Sequence, residues 1–338
     1  MDKPLPELKR ELLDGLLSFL WRQWTALGVP GRAGSARHVV DPEALLALTA
    51  VLGRHDPRLY DEALGWLAKY GRLVSVQRLR TIFSLNCFSP AAPAAAAGIA
   101  CCLLDGTGDK RWESLCRPGR RGGDPPQPLF LDPSGAPLPV LGEPDPSFLK
   151  AGLLRDTVRP RNHAGFRPEN AGALVARLRA LLGNTARCEI LFYLLARPHG
   201  YPSEIARKTH YSQKTVHDLL EDMVLSGAVR SVKNGRQRLC RLAPGAFPAF
   251  LLQGQPRPEY VNWPLVLGAV ESAWQKLGPL SEPGLPEDLV ISGCHALSEA
   301  LSARLMGVSA LAELPQAGTA SVAAALRPLS AVMPLLAE

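Results

Sequence analysis

Residues 203–242 read SEIARKTHYSQKTVHDLLEDMVLSGAVRSVKNGRQRLCRL. The punctuation of this stretch decides the fold. Ser203 is a good N-cap and opens a very short helix through Glu204, Ile205, Ala206 and Arg207. The turn THYS (209–212) follows, and Ser212 caps a longer helix, with Tyr211 placed to staple onto Val216. In that helix Val216, Leu219, Leu220, Met223 and Val224 fall at i, i+3, i+4, i+7 and i+8, the spacing of one buried stripe. Gln213, Lys214, Thr215 and His217 are left outward at its beginning. The second half carries Asp218, Glu221 and Asp222, which repel phosphate, so only the start of the helix suits a DNA groove. Gly227 ends it.

Next comes an Asn-Gly pair between two short runs, the pattern of a two-residue hairpin, because these residues tolerate the positive φ that the turn needs. With Asn234 and Gly235 at the turn, Lys233 is expected opposite Arg236 and Ser231 opposite Arg238, which gathers Lys233, Arg236 and Arg238 on one face near the tip. Like charges facing each other destabilise a hairpin slightly, so folding alone does not favour the arrangement. Lysine and arginine can also serve an edge strand by blocking aggregation. Arg230 and Arg241 fall on the other face.

Upstream, residues 187–196 form an apolar helix that stops before Pro198 and Gly200. Helix, short helix, tight turn, longer helix and basic hairpin together resemble the winged helix-turn-helix of ArsR/MarR-like bacterial regulators, over about residues 185–242. The resemblance implies that Ser212, Gln213, Lys214, Thr215 and His217 lie at DNA, with Gln213, Lys214, Thr215 and His217 at base edges. It also implies that Lys233, Asn234, Arg236 and Arg238 on the wing reach phosphates or a minor groove. Between 184 and 242 there are ten Lys or Arg against five Asp or Glu, which locates most of the formal net charge of +7 here. Some members of that family bind metal through paired cysteines before the recognition helix. Here Cys188 stands alone, so no metal is expected.

The whole chain has 338 residues, enough for two or three domains with their own cores, and 20% charged residues, as in soluble globular proteins. Seven cysteines without framework spacing, and no signal-like segment in the acid-interrupted N-terminal stretch, point to free, buried thiols in a reducing cytoplasm and to no membrane insertion. Residues 1–116 read as a helical N-terminal domain: Asp41-Pro42 and Asp56-Pro57 are N-cap and first-turn pairs, with Gly53 and Gly71 as stops. Ser75–Phe83 and Ala94–Leu104 suggest two further helices. Residues 117–170 hold eleven prolines and read as a linker or wrapped extended arm, with one small hairpin around 133–135. Residues 171–245 contain the winged helix-turn-helix, and 246–338 a separate helical C-terminal region. Trp21, Trp24, Trp66, Trp263 and Trp274 fall on apolar helical stretches as core anchors. Arg117, Arg120 and Arg121 read as a solvated linker rather than a minor-groove arm.

The expectation is therefore a mainly α protein with a central winged helix-turn-helix flanked by helical N- and C-terminal regions. No Walker loop, nucleophile elbow, zinc-protease or dinucleotide fingerprint is present, so no enzyme and no cofactor are expected. The function expected is sequence-specific double-stranded DNA binding by a cytoplasmic transcriptional regulator, acting as a repressor and as a homodimer. The alternative is an antitoxin-like adaptor that holds a protein partner and uses the winged helix as scaffold.

Overall fold

A computed structural model describes residues 3–31, 36–116, 125–158, 163–235, 237–308, 311 and 313–337. The N-terminal helices are α1 (Leu5–Leu27), α2 (Pro42–Leu52), α3 (Pro57–Tyr70), α4 (Val76–Ser84) and α5 (Ala91–Thr107). Their starts follow the capping chemistry: Asp41 accepts from the Ala44 amide at 3.0 Å, Asp56 from that of Leu59 at 3.0 Å, and Ser75 from that of Arg78 at 3.3 Å. All eleven residues of α2 are buried, which makes it the central helix of the body.

The arm follows with β1 (Gln127–Pro128), α6 (Pro146–Lys150) and β2 (Leu153–Leu154), the two strands pairing in parallel. It is packed onto the body. Leu129 and Phe148 are fully buried, and Arg54 donates to the carbonyls of Leu129 (2.7 Å) and Pro128 (2.9 Å). Asp132 makes the turn around 133–135, its side chain accepting from the amides of Ser134 and Ala136. Gly28, at φ +106°, passes so close to Gly165 that a Cβ there would sit 1.6 Å from the Gly165 carbonyl oxygen.

Then come α7 (Leu174–Leu182), α8 (Ala186–Ala196), α9 (Pro202–Thr209), α10 (Gln213–Leu225), the hairpin β3 (Val229–Asn234) and β4 (Gln237–Leu242), α11 (Ala246–Leu252), α12 (Trp263–Leu280), α13 (Glu287–Leu305), α14 (Val322–Ala325) and α15 (Arg327–Ala337).

Two sequence expectations are corrected by this packing. The N- and C-terminal helical regions are not separate: residues of α1, α2, α3 and α5 share one hydrophobic core with those of α12, α13 and α15. Trp263 at the start of α12 donates to the Val39 carbonyl at 2.9 Å and packs its ring 5.4 Å from that of Phe19. Glu271 on α12 accepts from the Ser89 amide and hydroxyl, and a Cβ at Gly268 would sit 1.5 Å from the Cys87 carbonyl oxygen. Helical periodicity reveals that a face is apolar but not which face covers it, so the fusion had no signature in local pattern.

The second correction concerns the thiols. Cys101 and Cys116 form a disulfide, with a Cα–Cα separation of 4.6 Å, because the turn after α5 brings residue 116 back to that helix. Cys87, Cys102, Cys188, Cys240 and Cys294 are free. No described helix is long and apolar enough to cross a membrane.

Candidate nucleic-acid interface

Helices α8, α9 and α10 and the hairpin share a second core, in which Ile190, Leu191 and Leu194 of α8 meet Ile205 and Ala206 of α9, Val216, Leu220 and Met223 of α10, and Val229 and Cys240 of the hairpin. The stripe on α10 is narrower than its spacing suggests: Leu219 is half-buried, and Val224, at 36% exposure, faces out. Helix α9 starts at Pro202 with Tyr201 in the cap position and no side-chain cap, so Ser203 lies inside the first turn.

The turn between α9 and α10 holds His210 at φ +60°. It is fastened from outside the motif. Arg78 of α4 donates through Nε to the Thr209 carbonyl at 2.9 Å, Tyr260 donates to the Lys208 carbonyl at 2.6 Å, and His210 Nε2 pairs with Asn262 Oδ1 at 3.0 Å. Burial, then the Arg78 charge, press the His210 imidazole down to about 4, so it is neutral near pH 7.

Arg78 belongs to a buried ionic cluster at the base of the motif. It binds both oxygens of Asp41 (2.9 and 2.6 Å) and Oε2 of Glu43 (2.6 Å). Arg179 of α7 takes Glu43 Oε1 at 2.6 Å, Glu189 Oε1 at 2.5 Å and the Leu73 carbonyl at 2.6 Å. Burial pushes the Asp41 carboxyl up, but Arg78 beside it outweighs that and holds it below the usual carboxylate range. Sequence reading missed this cluster: Arg78 and Arg179 stand in the apolar patterns VQRLRTIF and LVARLRALL, and although Glu189 is only ten residues from Arg179, the Asp41 and Glu43 carboxylates that join the two arginines come from the start of α2.

At the exposed end of α10, Ser212 Oγ accepts from the Thr215 amide at 3.1 Å and lies 2.8 Å from the Thr215 hydroxyl, so these two side chains cap the helix. His217 lies 3.9 Å from Asp218 and 4.0 Å from Glu221. Gln213 and Lys214 are exposed and bind none of the described residues. They are the side chains of this end left open for a ligand.

The hairpin differs from its expected register. Lys233 pairs with Arg238 and Asn234 with Gln237, so the turn does not include Asn234 and starts at Gly235. Asn234 stays in the strand because its amide donates to the Tyr201 hydroxyl at 2.7 Å, while Gly235 takes φ +60°. Arg236 lies outside the described residues. Lys233 and Arg238 share the face that carries buried Val229 and Cys240 further down, and Arg238 uses this position to pair with Glu221 of α10. The cations at the tip are thus only partly available: Arg238 is engaged, Lys233 is exposed.

The description as an ArsR/MarR-like winged helix-turn-helix is corrected here. A wing projects from a sheet, whereas the described residues from α8 to β4 give only the two-stranded β3–β4 hairpin, joined to the segment between α8 and α9 by one isolated bridge, Gly200 to Cys240. Tyr201-Pro202 already starts α9, so no strand is left there to build one. With that sheet goes the ground it gave for assigning DNA binding and transcription regulation by family. No family model, curated protein or solved structure matches the chain. Among the described residues no three or more His, Cys, Asp or Glu gather as a metal site.

Proposed function

We propose that this protein binds double-stranded DNA through the first turn of α10. One observation carries the reading: Gln213 and Lys214 stand exposed and unpartnered at the N-terminal end of a capped helix whose other face is locked in a core. Gln can read adenine through a bidentate pair in the major groove, and Lys can take a phosphate. The hairpin has the lesser part, through Lys233. The acids Asp218 and Asp222 further along α10 restrict contact to the helix start. One such helix reads few base pairs, so two copies on a two-fold site complete the proposal.

Selection of bound duplexes from a random pool by the purified protein tests it. The reading expects enrichment of a defined motif and loss of preference at one position in Gln213→Ala, at a cost of about 1–3 kcal/mol against the preferred base. A second reading, a protein-binding adaptor, is favoured by Leu225, 90% exposed at the far end of α10. A pool that yields no enrichment at low salt supports that one.

A further inference from the structure

A large cleft lies in the N-terminal half of the body. It encloses about 960 Å³ between α4, the beginning of α5 and the β1–β2 arm. That is the upper end of the range of small-molecule sites, about 300–1,000 Å³. Its walls are of two kinds. Phe83, Leu115, Leu153 and the alanines of the first turns of α5 give an apolar surface, whereas Gln77, Arg80, Thr81 and Ser84 line it from α4, and Arg54 from below.

The charge of this lining is one-sided. Two guanidinium groups border the cleft, and no carboxylate stands among its described lining residues. Arg54 is bound to two arm carbonyls through Nε and one Nη. Its position is therefore fixed, and burial lowers its proton affinity, as expected where water is excluded from a cation. Arg80 is exposed at the rim. An occupant with a negative group and an apolar body satisfies both walls, and a cation or a neutral polar molecule does not.

We infer that this cleft is a binding site for a small organic anion with an apolar body, held by Arg80 and Arg54 at its charged end. Gln77, Arg80, Thr81 and Ser84 recur at i, i+3, i+4 and i+7 along α4, so one face of the helix meets the ligand. This site needs no DNA binding to exist, and its test does not involve DNA.

The probe is 1-anilinonaphthalene-8-sulfonate, whose fluorescence rises in apolar surroundings, with its uncharged parent N-phenyl-1-naphthylamine as the comparison. The full-length protein should bind the sulfonate saturably at one site, at least tenfold tighter than the neutral amine. Arg80→Glu, an exposed position whose change leaves the fold intact by circular dichroism, should weaken the sulfonate at least tenfold and leave the amine within twofold. Ala94→Trp, which fills the cleft from α5, should abolish both. Absence of saturable sulfonate binding, equal affinity for the two probes, or sulfonate binding unchanged in both variants overturns the inference.

Discussion

The unit of α8, α9, α10 and the β3–β4 hairpin meets cations at two ends, its base on the body and its tip, and they do opposite work. At its base Arg78 and Arg179 are at most 3% exposed and are met by Asp41, Glu43 and Glu189. At its tip Lys233 and Arg238 stand in water, and among the described residues the close ion pair there joins Arg238 to an exposed Glu221. Coulomb attraction is the same law in both places, but solvent screens the tip and not the base. The base fixes how the motif sits on the body, and the tip is left for whatever approaches.

Removing a member of the buried cluster should have the largest effect. Arg179→Met leaves Glu189 as an uncompensated buried charge and Glu43 with Arg78 as its one remaining cation, and should lower unfolding free energy by about 3–5 kcal/mol, read by denaturant melts. A loss under 1 kcal/mol would place the cluster in solvent instead.

Acid should act next. His210 is held neutral in the folded protein, with its folded value of about 4 below the ordinary 6.5. Between those values the unfolded chain binds more protons, so stability is full above pH 6.5 and falls as pH drops toward 4, by about 3 kcal/mol at one pKa unit per 1.4 kcal/mol. His210→Asn, a residue that tolerates positive φ, should flatten the melting curves across this window.

The tip should matter least to stability. Arg238→Ala should change unfolding free energy by less than about 1 kcal/mol, since exposed pairs contribute little. A larger loss would mean that the hairpin is held to α10 by this pair and not by Val229 and Cys240.

What could be read from sequence follows the same division. Caps and stripes are local, and Asp41, Asp56, Ser75 and Ser212 each start the helix that their side chains foretell. The exposed start of α10 was legible for that reason. The hairpin register slipped because Asn234 is held in the strand by Tyr201, thirty-three residues earlier in the chain. The shared core of the two ends, the buried arginines and the Cys101–Cys116 bond depend on partners in other elements, fifteen residues on for Cys101 and mostly further for the rest, which periodicity and capping do not encode. Of the candidate site, Gln213 and Lys214 stand open, Ser212 and Thr215 serve as cap, Asn234 and Arg238 are engaged by Tyr201 and Glu221, and Arg236 lies outside the described residues.

The central claim is that α10 presents its first turn to duplex DNA. Its most direct test is the dissociation constant of the purified protein for duplex DNA as a function of salt, measured beside Lys214→Glu and Lys233→Glu. The account predicts salt-dependent binding, a loss of at least tenfold and a log–log slope shallower by about 1 in Lys214→Glu, and a smaller loss in Lys233→Glu. No duplex binding at low salt, or binding that Lys214→Glu leaves unchanged, would contradict it.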